Sequence, residues 1–215
     1  MLIAGRHHYV FSDLADIGAI HKNSQDIGFR WPKLFVYTHL LGFDKKGAEL
    51  MWDIDREAER IDHRWLLGRN EQAEDTAKYF RNLEEHMDKL DQKVGASDSK
   101  SIELDGLLAV IDLEGTPTVE TFYGKTTVRR HPKIMEDMAY VVTNLKPFLF
   151  EIPTFLAPKV YGARSRIINS FIELNEELES RKDISGYFVE RYRFLKLKGA
   201  PPSAVGPDMF RHLFA

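Results

Sequence analysis

Two neighbouring stretches hold most of the side chains that could do chemistry. Asp55, Glu59, Asp62 and His63 lie on adjoining faces of one predicted helix, and Glu84, Glu85 and His86 on the next. A di-iron helical bundle needs Glu-x-x-His pairs pointing inward, and that spacing occurs in neither helix. Glu59 and His63 also fall away from the apolar stripe through Ile54, Ala58 and Ile61. Solvated charged faces, supported by pairing four residues apart, account for these side chains, and no metal site is assigned. The run Asp53-Ile54-Asp55-Arg56-Glu57 has the acid density of a magnesium-diphosphate site. Arg56 interrupts it, and acids near the positive end of a helix that starts there explain it without a ligand.

The remaining candidates are histidines: His7-His8, His131 after Arg129-Arg130, and His212. Each is placed in a loop or at an end, without convergent partners, and an isolated histidine there is ordinarily a surface residue. No glycine-rich phosphate loop, no Gly-x-Ser-x-Gly and no His-Glu-x-x-His is present. Pro147-Phe148-Leu149-Phe150-Glu151-Ile152-Pro153-Thr154-Phe155-Leu156 is the densest aromatic-apolar stretch. Core packing is the reading favoured for it, with a lipid-facing or substrate-entry lip as the alternative. Residue chemistry alone therefore names no reaction and no catalytic residue.

The elements that must position these residues are helical. The 215 residues are 43% hydrophobic and 29% charged, with a net charge of -3, which suits a folded globular chain and gives no support to nucleic acid as a partner. Cysteine is absent, which removes disulfides, thiolate ligands and a cysteine nucleophile together. No stretch is apolar for long enough to span a bilayer. Tyr9-Val10-Phe11 predicts a short strand, followed by a helix that Ser12 caps and that Leu14, Ile17 and Ile20 punctuate. Gly28 to Pro32 is a break, and Leu34 to Phe43 one or two helical turns. Leu50, Ile54, Ala58, Ile61 and Trp65 mark a helix from Gly47 to Gly68. Ala73, Ala77, Phe80, Leu83, Met87, Leu90 and Val94 give the next an inward stripe, with Gly95 as its cap. Ile102 to Leu113 reads as a deeply buried helix that stops near Gly115 and Pro117. Ile134 to Phe148, Val160 to Leu178 and Ile184 to Leu195 carry further helical periods, and Pro201-Pro202 starts a last one. Its Val205, Met209, Phe210, Leu213 and Phe214 run to the C-terminus without a polar tail, which predicts an unfinished face and an incomplete domain.

Read in order, these segments resemble cytochrome P-450 haem-thiolate monooxygenases of fungi. Tyr9 to Ser24 is similar to that family's early strand and following helix, with its Ser-Asp and Lys-Asn-Ser. Asp62-His63-Arg64-Trp65-Leu66-Leu67-Gly68 and the 73–94 helix resemble its third and fourth helices, and Thr121-Phe122-Tyr123-Gly124 the end of its fifth. Phe148 to Asn175 is similar to the substrate-roof helices, most like those of the sterol-hydroxylase and prostacyclin-synthase branch. Gly199-Ala200-Pro201-Pro202 and 208–215 look like the entry to the long helix over the haem.

The resemblance implies a mostly α, partial P-450-like domain over 1–215, with a short strand near the N-terminus. The implied activity is oxidation of a hydrophobic secondary metabolite such as a terpenoid or polyketide. Haem is the implied cofactor, an NADPH-dependent reductase the partner, and the cytoplasm or the endoplasmic-reticulum surface the location. Trp52, Arg56, Arg60 and His63 are the residues it implies for holding haem propionates, which need charge-assisted partners. The family's oxygen-activating residues, Glu-x-x-Arg pair and haem cysteine have no counterpart here, so the chain is expected to be inactive alone, since cleavage of dioxygen needs a thiolate ligand. The alternatives are a non-catalytic helical module for an apolar ligand or partner, and a magnesium-dependent terpene cyclase.

Overall fold

A computed structural model of the chain describes residues 2–3, 6–7, 13–22, 30–99 and 101–212. It is mostly α, as expected. The described strands are two residues each, β1 (Leu2–Ile3) and β2 (Arg6–His7), paired antiparallel. The strand expected at 9–11 lies outside the described residues, as do Ser12 and His8. Helix α1 (Leu14–Lys22) is capped by Asp13, whose carboxylate accepts from the Ala15 amide at 2.7 Å. Of the break expected at 28–32, residues 28–29 lie outside the described residues, and 30–32 instead begin α2 (Arg30–Phe35), because proline is tolerated in a first turn. α2 passes into a π-helical turn at Val36–Leu40.

The long helix α3 (Lys45–Leu67) begins where the Asp44 carboxylate accepts from the Gly47 amide at 2.7 Å. Asp53 to Glu57 therefore sit in its middle, and the helix-dipole explanation for that acidic run is withdrawn. Met51, Ile54, Ala58 and Ile61 form its buried stripe. Helix α4 (Arg69–Ala96) runs past Gly95, which is an interior residue and not the cap.

The inward face of α4 is not the expected one. Asp75, Lys78, Asn82 and His86 turn toward the rest of the protein, while Phe80 is 60% exposed and Met87 44%. Helix α6 (Thr116–Tyr123) presents polar groups to α4, and α4 answers them in kind. Lys78 Nζ donates to the carbonyls of Thr121 and Asp183, Asn82 donates to Thr121 Oγ1 at 3.0 Å, and Ser185 donates to Asp75 at 2.6 Å. Buried carbonyls and hydroxyls left unpaired would cost more than exposing a stripe of apolar surface.

Between them, α5 (Gly106–Val110) and a π-helical turn at Ile111–Gly115 replace the deeply buried helix expected over 102–113. Glu103, Leu104, Asp105 and Val110 are exposed, and Pro117 sits in the first turn of α6 without ending a helix. α7 (Lys125–Arg130) follows Gly124, whose positive φ of 84° suits glycine. The period expected across 134–148 is divided into α8 (Ile134–Thr143) and α9 (Lys146–Leu149). A 3₁₀ turn at Thr154–Leu156 precedes α10 (Pro158–Leu174), and α11 (Gly186–Leu197) and α12 (Pro202–Arg211) complete the described helices.

Buried apolar side chains from Tyr37 to Phe210 form one contiguous cluster. At its centre Tyr123 stacks on Phe171 with ring centroids 4.6 Å apart and meets Phe188 at 4.3 Å, while its hydroxyl donates to the Met209 carbonyl at 2.7 Å. Met209 and Phe210 belong to this core, so within the described residues α12 does not offer the unfinished face expected of it. The stretch 147–156 also reads differently: only Phe148 is fully buried, and Leu149, Phe150, Phe155 and Leu156 are between 49% and 78% exposed.

Helix α12 lies so close to α10 that a Cβ on Gly206 would stand 2.8 Å from the Ile168 carbonyl oxygen. Gly206→Ala is expected to cost about 1–3 kcal/mol and to lower the melting temperature by roughly 2–4 °C per kcal/mol. Gly18→Ala in α1, where no atom lies within 4 Å, should be neutral or stabilise by roughly 0.5–1 kcal/mol. Thermal melts of the two variants check the contrast.

Candidate functional site

Three helices and the π-helical turn converge on one buried polar cluster. α3 supplies Asp55 and Asp62, two turns apart on one face next to the apolar stripe. α11 supplies Tyr187 and Arg191 one turn apart, α12 supplies Asp208 and Arg211, and His212 follows α12. Arg191 is the hub, with its side chain and that of Asp208 each 1% exposed. Its Nε and Nη2 donate to the two Asp208 carboxylate oxygens at 2.7 and 2.9 Å, and its Nη1 donates to Asp62 at 2.5 Å. Tyr187 Oη donates to the same Asp62 oxygen at 2.7 Å. On the outer side, Arg211 donates to Tyr37 Oη at 3.1 Å, Tyr37 donates to Asp55 at 3.1 Å, and Lys33 of α2 closes on Asp55.

The electrostatics follow from burial and pairing. Burial alone would raise the Asp208 carboxyl, but Arg191 and then Arg211 outweigh it and hold the group well below the usual carboxylate range. Asp55 is also lowered: burial opposes this, and Lys33 and Tyr37 prevail. Burial raises the Tyr37 and Tyr187 phenols, so both remain protonated donors. His212 lies 3.1 Å from Tyr187 Oη through Nδ1. Burial, helped by Arg191 and Arg211 and opposed by Asp208, pushes its pKa down to about 3, so the imidazole is neutral. His212 therefore has convergent partners, contrary to its expected isolation. The reason is that α12 ends at the cluster and not in solvent.

His212 also stands at the end of a cavity of about 400 Å³. Val119 and Phe122 of α6, Met138 of α8 and Phe188 of α11 form its apolar walls, and Tyr187 lies beside His212. Leu66 and His212 also line a more open hollow of about 710 Å³, together with Lys33, Tyr37, Asp62 and Arg211. The arrangement can enclose an apolar molecule against a wall of mutually neutralised charges. Sequence reasoning did not find Arg191, Asp208 or Tyr187. The only signal was a charged residue at an apolar position in each helical period, seen at Arg191 beside Phe188 and Leu195 and at Asp208 beside Met209.

The residues implied for haem lie elsewhere on α3. Trp52 is half-buried, and Arg56, Arg60 and His63 are exposed, outside both cavities. None of these three makes an ion pair among the described residues. His63 and Glu59 belong to the solvated face expected of them, whereas His86 of the next helix pairs with the buried Glu120 at 3.2 Å. A haem carboxylate meeting Arg56, Arg60 or His63 in this arrangement would lie on the solvent face of α3. No group of three or more His, Asp or Glu side chains able to hold a metal ion occurs among the described residues, and the sequence has no cysteine. The residues present thus do not assemble a haem-thiolate site, and no step through haem is derived from them.

Two consequences of the cluster are measurable. Asp208→Asn leaves Arg191 with Asp62 as its single carboxylate in a buried site and is expected to cost about 3–5 kcal/mol in denaturant unfolding. His212 takes a proton near 6.5 when unfolded but only near 3 when folded. Its contribution to stability is therefore complete above about pH 6.5 and is lost as pH falls through that window, by at most ~1.4 kcal/mol per pH unit. The lowered Asp208 carboxyl adds a loss only once pH falls below the ordinary aspartate value of 3.8. Melts between pH 7 and 4.5 should show a smaller drop for His212→Gln than for the wild type.

No protein-family model matches the chain, and no solved structure does so either. The chain is similar to cytochrome P-450 monooxygenase poxD of Penicillium oxalicum, with 40% identity over 215 residues and 99% of the chain covered. The match takes in 44% of that protein, so the chain spans less than half the length of the curated relative it matches. Through its whole length, then, this chain is a homologue of part of a fungal cytochrome P-450 monooxygenase.

Proposed function

We propose that the chain is the portion of a cytochrome P-450-type monooxygenase that surrounds a hydrophobic substrate, a secondary metabolite such as a terpenoid or polyketide. The observation that carries this reading is 40% identity sustained across 99% of the chain to a protein named for that activity. The apolar cavity closed by His212 supports it. Haem, when bound, supplies the dioxygen chemistry, and an NADPH-dependent reductase supplies the electrons. The thiolate must come from outside these 215 residues. Arg56, Arg60 and His63, exposed on α3 and without an ion pair among the described residues, with Trp52 on the same helix, are the residues offered to haem carboxylates once further polypeptide covers that face.

No helix of the described residues is long and apolar enough to cross a membrane. The exposed Leu149, Phe150, Phe155 and Leu156, from the end of α9 to the turn before α10, suit peripheral contact with the endoplasmic-reticulum membrane from the cytoplasmic side. A second reading, a non-catalytic module for an apolar ligand, is favoured by the burial of Met209 and Phe210 in the chain's own core. A cooperative melt of the 215-residue chain would support self-sufficiency, and molten behaviour would oppose it.

The test of catalysis is a reduced carbon monoxide difference spectrum after haem reconstitution. The 215-residue chain should give no thiolate-type Soret band, and a longer product of the same gene that carries a cysteine ligand should give one. A longer product that folds, takes up haem and still gives no such band would overturn the monooxygenase reading.

A further inference from the structure

We propose that the cavity between α6, α8 and α11 is a binding site for a small, uncharged, apolar molecule, and that the charge-balanced cluster behind His212 excludes acids and amines of the same size. The inference rests on the hydrophobic-substrate reading and narrows it to a place and a ligand class.

Size comes first. A cavity of about 400 Å³ falls at the small end of the range that encloses drug-sized ligands, about 300–1,000 Å³. Val119, Phe122, Met138 and Phe188 give it aliphatic, thioether and aromatic walls, and such walls reward apolar area. Leu66 at the mouth adds a further apolar edge.

Charge decides the class. Behind His212 stand three carboxylates, Asp55, Asp62 and Asp208, and three cations, Lys33, Arg191 and Arg211. They already neutralise one another: Arg191 serves Asp208 and Asp62, Lys33 serves Asp55, and Arg211 lies 3.4, 3.6 and 3.8 Å from Asp208, Asp62 and Asp55. The cluster thus leaves no surplus charge toward the cavity, and the one other charged side chain on the lining, Glu114, is exposed to solvent. The imidazole between cluster and cavity is neutral, its pKa pushed down to about 3 chiefly by burial.

The polar atoms at this wall are also committed. Tyr187 Oη donates to Asp62, so His212 Nδ1–H donates to Tyr187 Oη, a tautomer that follows from the partners. His212 Nε2 accepts from Arg211 Nε at 3.4 Å. Thr118 Oγ1 donates to the Glu114 carbonyl at 2.7 Å, and the Glu114 side chain is exposed at the mouth, where water screens it. An anionic ligand group entering here would lose its hydration without gaining a counter-charge, and a cationic one would find only the solvent-screened Glu114 carboxylate, a penalty that a neutral body avoids.

The test uses the 215-residue chain and the uncharged fluorophore N-phenylnaphthylamine. It should bind saturably, one per chain, with a cooperative melt retained. Farnesol, farnesoate and farnesylamine share one apolar body and differ in head charge. Farnesol should displace the probe at concentrations at least about tenfold below the other two. Thr118→Trp, which fills the cavity from its half-buried rim, should weaken the probe about tenfold or more, and Leu66→Trp at the mouth provides a second filling variant should the first not fold. Phe155→Ser, which removes the largest exposed apolar side chain of the 147–156 stretch, should leave binding unchanged.

Equal displacement by the charged analogues, undiminished binding in a folded filling variant, or loss of binding in Phe155→Ser would each overturn the proposal. Failure here is separable from failure of the monooxygenase reading. Farnesol binding with no thiolate-type band in any haem-loaded longer product removes the enzyme and keeps the site. The thiolate-type band with no cavity binding does the reverse.

Discussion

Arg191 is the constraint on which the rest of the arrangement depends. A guanidinium with almost no exposure cannot shed its charge, so it must be met by carboxylates at fixed positions. Asp208 from α12 takes two of its donors and Asp62 from α3 the third. Three helices that apolar packing alone would allow to slide or rotate are thereby held in one register. Replacing such a cluster with hydrophobic residues of equal volume is often neutral or stabilising, so its effect is to specify a geometry more than to add free energy. Tyr187 shares the Asp62 oxygen, and His212 then takes its place against Tyr187, which fixes the end wall of the apolar cavity.

The α4–α6 contact applies the same logic with backbone carbonyls and hydroxyls as the groups to be satisfied. Gly124 turns the chain sharply after α6, and Arg181 stabilises the turn by donating to the Tyr123 carbonyl at 3.2 Å and to Asp183 at 2.8 and 2.9 Å. Asp183 is held well below the ordinary aspartate range: burial would raise it, but Arg181 and the Thr126 amide dominate. The carbonyl of Asp183 still needs a donor, and Lys78 supplies it while also reaching Thr121. Helix α4 is oriented by these few polar obligations, and the cost is that Phe80 and Met87 remain open. Arg164 of α10 does comparable work at the π-helical turn: it donates to the His39 carbonyl at 2.5 Å with its guanidinium over the rings of Phe148 and Tyr161.

How much of this was legible in the sequence depends on which force set each element. The stripe Ile54, Ala58, Ile61 gave α3 correctly, because apolar burial decides that helix and Asp44 and Gly68 punctuate it. The start of α12 at Pro201-Pro202 was legible for the same kind of reason. Helix α4 was located, but its facing was misread, since periodicity counts apolar residues and cannot weigh the carbonyls of a partner helix against them. Pro117 was read as a stop where it opens a first turn: the π-helical turn at Ile111–Gly115 passes directly into α6, and proline is tolerated in its first turn. The cluster itself was invisible: Asp62, Arg191 and Asp208 are 17 to 146 positions apart, and nothing local distinguishes a buried Arg-Asp pair from two surface charges. His212, dismissed as a chain-end histidine, acquires its role from the fold alone.

A contrast between the two sets of cations bears on where added chemistry would attach. Arg191 and Arg211 face inward and are spent on Asp62 and Asp208, so recruiting either for a ligand would leave a buried carboxylate uncompensated at a cost of several kcal/mol. Arg56 and Arg60 face outward and have no ion-pair partner among the described residues, so a ligand carboxylate could take them with no internal rearrangement. The inner cations are thus committed to the fold, whereas Arg56 and Arg60 are not committed to any ion pair among the described residues.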